Sequence, residues 1–314
     1  MVSTPAARGT RPRQARAVPE ASGDHASRPI EFIGHAALAI HRRGGAPTRR
    51  HLDHALHVGV DRLEIDLCSS ADAALVVRHD LAVAGGRFVG DMTLAELRRD
   101  DPQLLTLDEV VEHLGGHMPL LLDLKTARAA DLLGRWLSGR RDLADFAICT
   151  ENVAWLLLLR FAAPRVARWP SFPDIGDRSA NHVRRVVAGL WRTHASVHGL
   201  RQGVVDIHRA ARQLPRSPSA SLGHLAGLPW RARLPLDFAG PCEDVAAAGI
   251  CVHHWQISER LVDEAHRAGV LVNSWTVNSV AVAEGVIATG VDSVTTDRLD
   301  MLRLSVEGPA LVAG

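Results

Sequence analysis

One short segment of the chain, RLEIDLC at residues 62–68, alternates apolar and polar side chains, and this period of two predicts a β-strand. Because successive strand side chains point to opposite faces, the aliphatic residues share one face while Glu64 and Asp66 share the other. The aliphatic face is expected to pack against helices, which leaves the carboxylates facing an interior or a mouth. Buried carboxylates require a positive partner, so the pattern favours a divalent cation held by oxygen ligands. The plainer alternative is a half-buried strand with solvated acids.

The rest of the chain yields further candidate strands, with helices between several of them. Helical spacing predicts a helix over 48–58, and Thr93 and Thr106 are predicted N-caps, each followed by a glutamate three residues later. The link from Asp66 to His79 is too short for a helical crossover, which takes about a dozen residues or more, so a hairpin turning near 69–72 is expected. The candidate strands are 31–35, 62–68, 74–78, 119–125, 145–150, 165–171, 249–253, 270–278 and 290–298.

Reactive side chains stand at the ends of three other candidate strands. His35 ends the first strand, and His79, followed by Asp80, comes directly after the run 74–78. Asp123 and Lys125 are two residues apart in a strand and therefore share a face. From the residues alone, this acid–lysine pair could form a structural ion pair across the top of a barrel.

Composition bounds the possible functions. The chain has 314 residues, 46% hydrophobic and 23% charged, which is typical of a soluble globular protein of one large domain or two. A net charge of +1 gives no reason to expect nucleic acid or an acidic membrane surface as a partner. No apolar run approaches the roughly 20 residues that span a bilayer. The four cysteines form no Cys-x-x-Cys pair, so neither a zinc knuckle nor a disulfide framework is indicated, and a reducing, cytoplasmic location is favoured.

Several segments together resemble the glycerophosphodiester phosphodiesterase family. ALHVGVDRLEID at 55–66 matches the family's Ala-Leu-x-x-Gly-Ala-Asp-x-x-Glu-x-Asp, and His79-Asp80 matches its His-Asp. Asp123 and Lys125 stand where the family has Glu-x-Lys. VLVNSWTVN at 270–278 and GVDSVTTDR at 290–298 are similar to Val-x-Val-Trp-Thr-Val-Asn and Gly-Val-Asp-x-Ile-x-Thr-Asp. The resemblance covers roughly 30–175 and 240–300.

The family's first motif, His-Arg-Gly after the first strand, is only partly present. His35-Ala36-Ala37 takes its place, so alanines stand where arginine and glycine are usual, and Ala46 stands where the family has a glutamate near the metal. HRRG at 41–44 offers a rival alignment. We favour His35 as the counterpart because it ends the strand, and we expect Arg42 or Arg43 to fold back and replace the missing arginine.

The resemblance implies a somewhat irregular (β/α)8 TIM barrel of the phospholipase-C-like phosphodiesterase type. Nine candidate strands exceed the eight barrel places, so one assignment is expected to fail, at 74–78 or 165–171. The implied domain spans 30–304, with a helical insertion at about 179–236, a disordered tail at 1–29 and a C-terminal tail at 305–314. The site falls at the C-terminal ends of the strands, as in other such barrels.

The resemblance also implies a role for each candidate residue. A Mg²⁺ or Ca²⁺ ion is implied, which fits a site of oxygen ligands. The predicted function is metal-dependent hydrolysis of glycerophosphodiesters in lipid metabolism, which releases glycerol phosphate and an alcohol. The substrate is a small-molecule phosphodiester, and the oligomeric state is left open. The alternatives are a phospholipase-D-like headgroup phosphodiesterase and a non-catalytic phosphate-binding barrel. The predicted residues are His35 and His79 for catalysis, Glu64, Asp66 and Asp123 for the metal, and Lys125, Trp275 and Arg42 for substrate or phosphate.

Overall fold

The computed structural model of the protein describes residues 29–39, 45–172 and 238–299. Its strands form one sheet of nine, in the order β1-β9-β8-β7-β6-β5-β4-β2-β3. The strands are β1 Glu31–Gly34, β2 Arg62–Ser69, β3 Leu75–Val77, β4 Leu120–Leu124, β5 Phe146–Thr150, β6 Ala167–Phe172, β7 Gly249–His253, β8 Leu271–Trp275 and β9 Ser293–Thr296. All neighbours except β2 and β3 are parallel, and β1 also pairs with β2, which closes the sheet.

The predicted (β/α)8 barrel is therefore confirmed, and so is its irregularity. β3 pairs antiparallel with β2 and lies outside the ring of eight, so residues 74–78 were correctly predicted as a strand but do not occupy a barrel place. The connection turns between Ser70 and Ala74, where the Ser70 N–H donates to the Ala74 carbonyl at 3.0 Å. This is the hairpin that the short link predicted. The candidate at 165–171 corresponds to β6, which is a true barrel strand.

Helices cover the outside of the barrel. Both predicted caps are present, because Thr93 and Thr106 each form a capping box with the glutamate three residues later. None of the helices among the described residues is long and apolar enough to cross a membrane. The helices are α1 Arg49–Val58, α2 Leu94–Asp100, α3 Leu107–Leu114, α4 Ala127–Ser138, α5 Val153–Ala162, α6 Ala239–Val245, α7 Glu259–Arg267 and α8 Val280–Ala288.

Two apolar layers hold the barrel together. The outer layer lies between strands and helices and includes the fully buried Leu63, Ile65 and Leu67 of β2, as the alternation predicted. A smaller inner cluster fills the barrel and contains Trp169. A side chain at Gly249 would place its Cβ 2.7 Å from the Trp169 indole, so glycine lets the β7 backbone approach that ring. The inner layer leaves the C-terminal strand ends to polar side chains.

Some predicted features lie outside the described residues. These are the helical insertion at about 179–236, the C-terminal tail at 305–314, all but the last residue of the predicted tail 1–29, and the arginines Arg42 and Arg43.

Candidate active site at the carboxyl ends of the strands

Three carboxylates predicted as metal ligands meet at the C-terminal end of the barrel. Glu64 and Asp66 project inward from β2, and Asp123 projects from β4, where it is the direct partner of Asp66 in the parallel ladder. Each residue offers a carboxylate oxygen, and these oxygens all lie within 4.8 Å of one another. The Glu64 and Asp66 residues are 5% and 2% exposed. The two-residue alternation within two neighbouring strands is sufficient to bring the group together.

Lys125 lies directly against this cluster. Its Nζ is 2.8 Å from Asp66 Oδ1 and 2.5 Å from Asp123 Oδ2. Burial lowers the pKa of Lys125, but the charges of Asp123 and Asp66 outweigh burial and raise it well above its usual value. The ammonium group is therefore charged and compensates part of the negative charge of the cluster.

The carboxylates remain under-compensated. Burial and the neighbouring charge of Asp66 raise the pKa of Glu64 to about 8, and burial raises the pKa of Asp123 despite the contact with Lys125. Asp66 Oδ2 is buried without a hydrogen-bond partner among the residues described here. A compact set of oxygen ligands with excess negative charge and one unsatisfied oxygen fits a hard divalent cation.

His35 lies beside the cluster at the end of β1. Its Nδ1 is 2.7 Å from Asp297 Oδ1, and its Nε2 is 4.0 Å from Glu64 Oε2. Burial lowers the pKa of His35, while the hydrogen bond to Asp297 and the charge of Glu64 raise it, to a net value of about 9. The ring is thus held by one carboxylate and turned toward another.

Asp297 and Asn278 were not singled out from the sequence, although both lie in segments that resemble the family. Asn278 Nδ2 donates to Asp297 Oδ2 at 2.5 Å, and the Asp297 N–H donates to Asn278 Oδ1 at 2.9 Å. Together they form a chain of hydrogen bonds that ends on His35. The sequence did contain a signal for both residues: Asn278 is the polar residue that ends Trp-Thr-Val-Asn, and Asp297 is the one that ends Thr-Thr-Asp.

The backbone directly after His35 donates a hydrogen bond to the carboxylate cluster. The Ala36 N–H donates to Glu64 Oε2 at 2.7 Å. Ala36, Ala37 and Leu38 have φ angles of 45°, 49° and 62°, a left-handed region that costs a non-glycine residue about 1–2 kcal/mol. This strained turn brings a main-chain donor to a carboxylate of the cluster.

His79 follows β3 and is the most accessible of the predicted site residues that the structure describes. Its side chain is 56% exposed, and its Nδ1 is 3.1 Å from Asp80 Oδ1. It lines a cavity of about 420 Å³ together with Lys125, Asp80 and two apolar residues of the same loop. Gly45 has a φ of +60° and touches this histidine, since a Cβ added there would lie 2.7 Å from His79 Cβ.

Trp275 ends β8, on the side of the barrel mouth opposite β4. The ring is half-buried and packs edge-on against His253, with centroids 5.5 Å apart at 79°. Its Nε1 is buried and has no hydrogen-bond partner within the described part of the chain. Arg42 lies outside the described residues, so its predicted approach to the site stays a prediction.

The fold and the site together define a (β/α)8 barrel with a carboxylate and lysine cluster, His35 beside it and His79 in a cavity shared with Lys125, an arrangement suited to phosphate-ester chemistry. The model of the glycerophosphoryl diester phosphodiesterase family matches residues 46–301, and the chain belongs to this family. The match confirms the predicted family and enzyme class. It begins after His35, so the assignment of that residue depends on its position in the structure.

Solved structures of this class are similar to the chain. A glycerophosphodiester phosphodiesterase from Thermotoga maritima matches at a TM-score of 0.59 and 16% identity, over 89% of this chain and 98% of that one. An Oleispira antarctica phosphodiesterase in complex with the product sn-glycerol-3-phosphate matches at 0.60 and 19%, over 89% and 97%. A glycerophosphodiester phosphodiesterase from Agrobacterium tumefaciens matches at 0.56 and 20%, over 88% and 100%. These likenesses show the fold. No curated protein sequence matches the chain.

Proposed function

We propose that this protein is a metal-dependent hydrolase that cleaves glycerophosphodiesters to glycerol phosphate and an alcohol, as part of lipid metabolism. The observation that carries the proposal is the meeting of three carboxylates, Lys125 and His35 at one end of the barrel. Family membership supports it, as does the product complex of the Oleispira relative. The catalytic unit is one barrel domain over 30–304.

Glu64, Asp66 and Asp123 would hold a single Mg²⁺ or Ca²⁺ ion. When bound, the ion supplies charge neutralisation and Lewis-acid polarisation of the phosphodiester. Lys125 places its ammonium group next to the same carboxylates, where it balances the phosphate charge. Trp275 lines the opposite wall of the mouth and contacts the rest of the substrate. Arg42 supplies the guanidinium fork that the family has elsewhere.

His35 and His79 divide the acid and base roles. One accepts a proton from the attacking water, or from an attacking substrate hydroxyl, as its oxygen bonds to phosphorus; attack by the hydroxyl gives a cyclic phosphate, which water then opens to glycerol phosphate. The other donates a proton to the leaving alcohol as the second P–O bond breaks. Asp297 accepts a hydrogen bond from His35 Nδ1, which fixes the tautomer and leaves Nε2 facing the cluster.

Four alanine variants test these roles. Replacing His79 by alanine should remove most hydrolysis, by about 10² to 10⁴-fold, with metal binding nearly unchanged. Asp123→Ala should weaken both metal binding, measured by titration calorimetry, and hydrolysis. His35→Ala should abolish activity and His41→Ala should not. The reverse result for the last pair would establish the rival alignment.

A second candidate is a phospholipase-D-like activity on lysophospholipids. It is favoured by two exposed apolar side chains at the barrel mouth, since Leu81 is 42% exposed beside His79 and Trp255 is 69% exposed just after β7. Large exposed apolar groups at a binding mouth suit a substrate that carries an acyl chain. Faster turnover of lysophosphatidylcholine than of glycerophosphocholine would select this candidate.

A further inference from the structure

The loop that carries His79 is anchored by a buried arginine. Arg78 is only 6% exposed, whereas the next residue, His79, is largely exposed. We propose that Arg78 is a positioning residue that fixes this loop and thereby aims His79 at the substrate. The inference rests on the proposed role of His79, but the anchoring itself can be tested separately.

The guanidinium group of Arg78 reaches forward along its own loop. Its Nε donates to the Asp80 carbonyl at 2.9 Å, and its Nη2 donates to the Ala82 carbonyl at 3.0 Å. Both acceptors belong to residues that line the same cavity as His79. One planar side chain thus sets the path of the backbone on both sides of Leu81.

The main chain of Arg78 is pinned to β2 at the same time. Its N–H donates to the Asp66 carbonyl at 2.9 Å, and its own carbonyl accepts from Cys68 Sγ at 3.1 Å. Asp66 is one of the proposed metal ligands. Arg78 therefore transmits the position of the carboxylate strand to the loop that bears the second histidine.

His79 needs such support because its own side chain is weakly held. Its described polar contact is with the exposed Asp80, and over half of the ring surface is accessible. A buried guanidinium that contacts carbonyl groups rather than a carboxylate costs more desolvation than it recovers. A residue of this kind suits conformational specificity better than stability.

Arg168 provides a matched control from the same chain. It is also 6% exposed and also donates to backbone carbonyls, including Val245 at 2.6 Å and Val166 at 2.8 Å. Those carbonyls precede β6 and β7, at the end of the barrel away from the site. Arg168 thus anchors a loop with the same chemistry but without a proposed catalytic residue.

The experiment compares Arg78→Met, Arg78→Lys and Arg168→Met in the full-length chain. Each is assayed for kcat and KM on glycerophosphocholine with Mg²⁺ or Ca²⁺, and for amide hydrogen exchange by mass spectrometry. Arg78→Met should lower kcat by about 10 to 100-fold with little change in KM, since misplacing a catalytic group by about 1 Å has that cost. Exchange should accelerate at Val83 and Val89, whose N–H groups are bonded within this loop. Arg168→Met should leave kcat per folded molecule unchanged.

Rescue separates positioning from a general loss of structure. Arg78→Lys should recover only part of kcat, because one ammonium group cannot reach both carbonyls in the planar geometry. Millimolar guanidinium chloride should raise the kcat of Arg78→Ala and have no such effect on wild type. Wild-type kcat in Arg78→Met, or equal kcat losses in the Arg78 and Arg168 variants, would overturn the proposal. If the wild type hydrolyses no phosphodiester, the proposed function fails. Amide exchange tests the anchoring separately: unchanged exchange at Val83 and Val89 in Arg78→Met would refute it.

Discussion

Replacing Lys125 by methionine tests whether the carboxylate cluster is electrostatically under-compensated. Lys125 contacts Asp66 and Asp123 at once, and the three side chains are 23%, 1% and 20% exposed. Removing one partner of a buried ion pair costs about 3–5 kcal/mol, because the remaining charge stays buried and unpaired. Partial exposure of two of the three groups places the expected loss near the lower end, at about 3 kcal/mol. A loss of that size corresponds to a fall in Tm of roughly 6–12 °C.

The assay is urea unfolding followed by circular dichroism, first with EDTA and then with Mg²⁺ or Ca²⁺. The metal should restore most of the lost stability in Lys125→Met, and the variant should bind it more tightly because the ammonium group no longer competes. Arg135→Met is the control, since its pair with Asp131 is about two-thirds exposed and such pairs contribute about 0.2–1 kcal/mol. A loss below about 1 kcal/mol in EDTA, or one that metal does not restore, would refute this reasoning.

Three further variants probe the strained turn, the approach to the second histidine and the hydrogen bond to the first. Ala37→Gly should raise the free energy of unfolding by about 0.5–1 kcal/mol in urea denaturation, because glycine accepts a φ of 49°. The control Ala39→Gly, at a φ of −104°, should lower the free energy of unfolding. Equal changes in the free energy of unfolding at the two positions would contradict the claim that the backbone is strained at Ala37. Gly45→Ala should lower kcat because its Cβ would meet the Cβ of His79 at 2.7 Å, and it should destabilise the fold by about 1–2 kcal/mol because the φ of Gly45 is +60°. An unchanged kcat per folded molecule would contradict a role for this contact. Asp297→Asn should lower kcat by about 10²-fold or more with KM nearly constant. It should also change the ring-nitrogen NMR signal of His35, the histidine that Asp297 orients. A matching rise in KM would instead indicate a role in binding.

The local pattern was sufficient to predict the carboxylate strand and its neighbour. A period of two placed Glu64 with Asp66 and placed Asp123 with Lys125, and parallel pairing in register then brought the groups together. The hairpin to β3 was also predictable, because only five residues, 69–73, lie between the predicted strands 62–68 and 74–78, and a helical crossover does not fit in that length.

The support of His35 could not be predicted in the same way. Asp297 lies 262 positions further along the chain and becomes its neighbour only because β9 pairs with β1 and closes the barrel. Alternation within a strand carries no information about which strand lies beside it. The same limit applies to the Ala36 N–H, which donates to Glu64 because β1 lies beside β2 in the closed barrel.

The burial of Arg78 could not be predicted from the sequence for a different reason. Arg78 ends an apolar run, at the last position of the predicted strand 74–78, where a charged residue usually faces solvent. Arg78 is buried because the following loop folds back over its side chain. The guanidinium group is held there by backbone carbonyl groups, which almost any sequence could provide. The single charge at the end of LVVR was the only signal in the sequence.

The measurement that tests the central claim most directly is hydrolysis of sn-glycero-3-phosphocholine by the purified full-length protein, followed by phosphorus NMR. We expect glycerol phosphate to form with Mg²⁺ or Ca²⁺, to stop in EDTA, to resume when metal is restored, and to be nearly absent in Asp123→Ala. A protein that binds the metal but cleaves none of a panel of glycerophosphodiesters and lysophospholipids, or one whose turnover is insensitive to EDTA, would contradict the account.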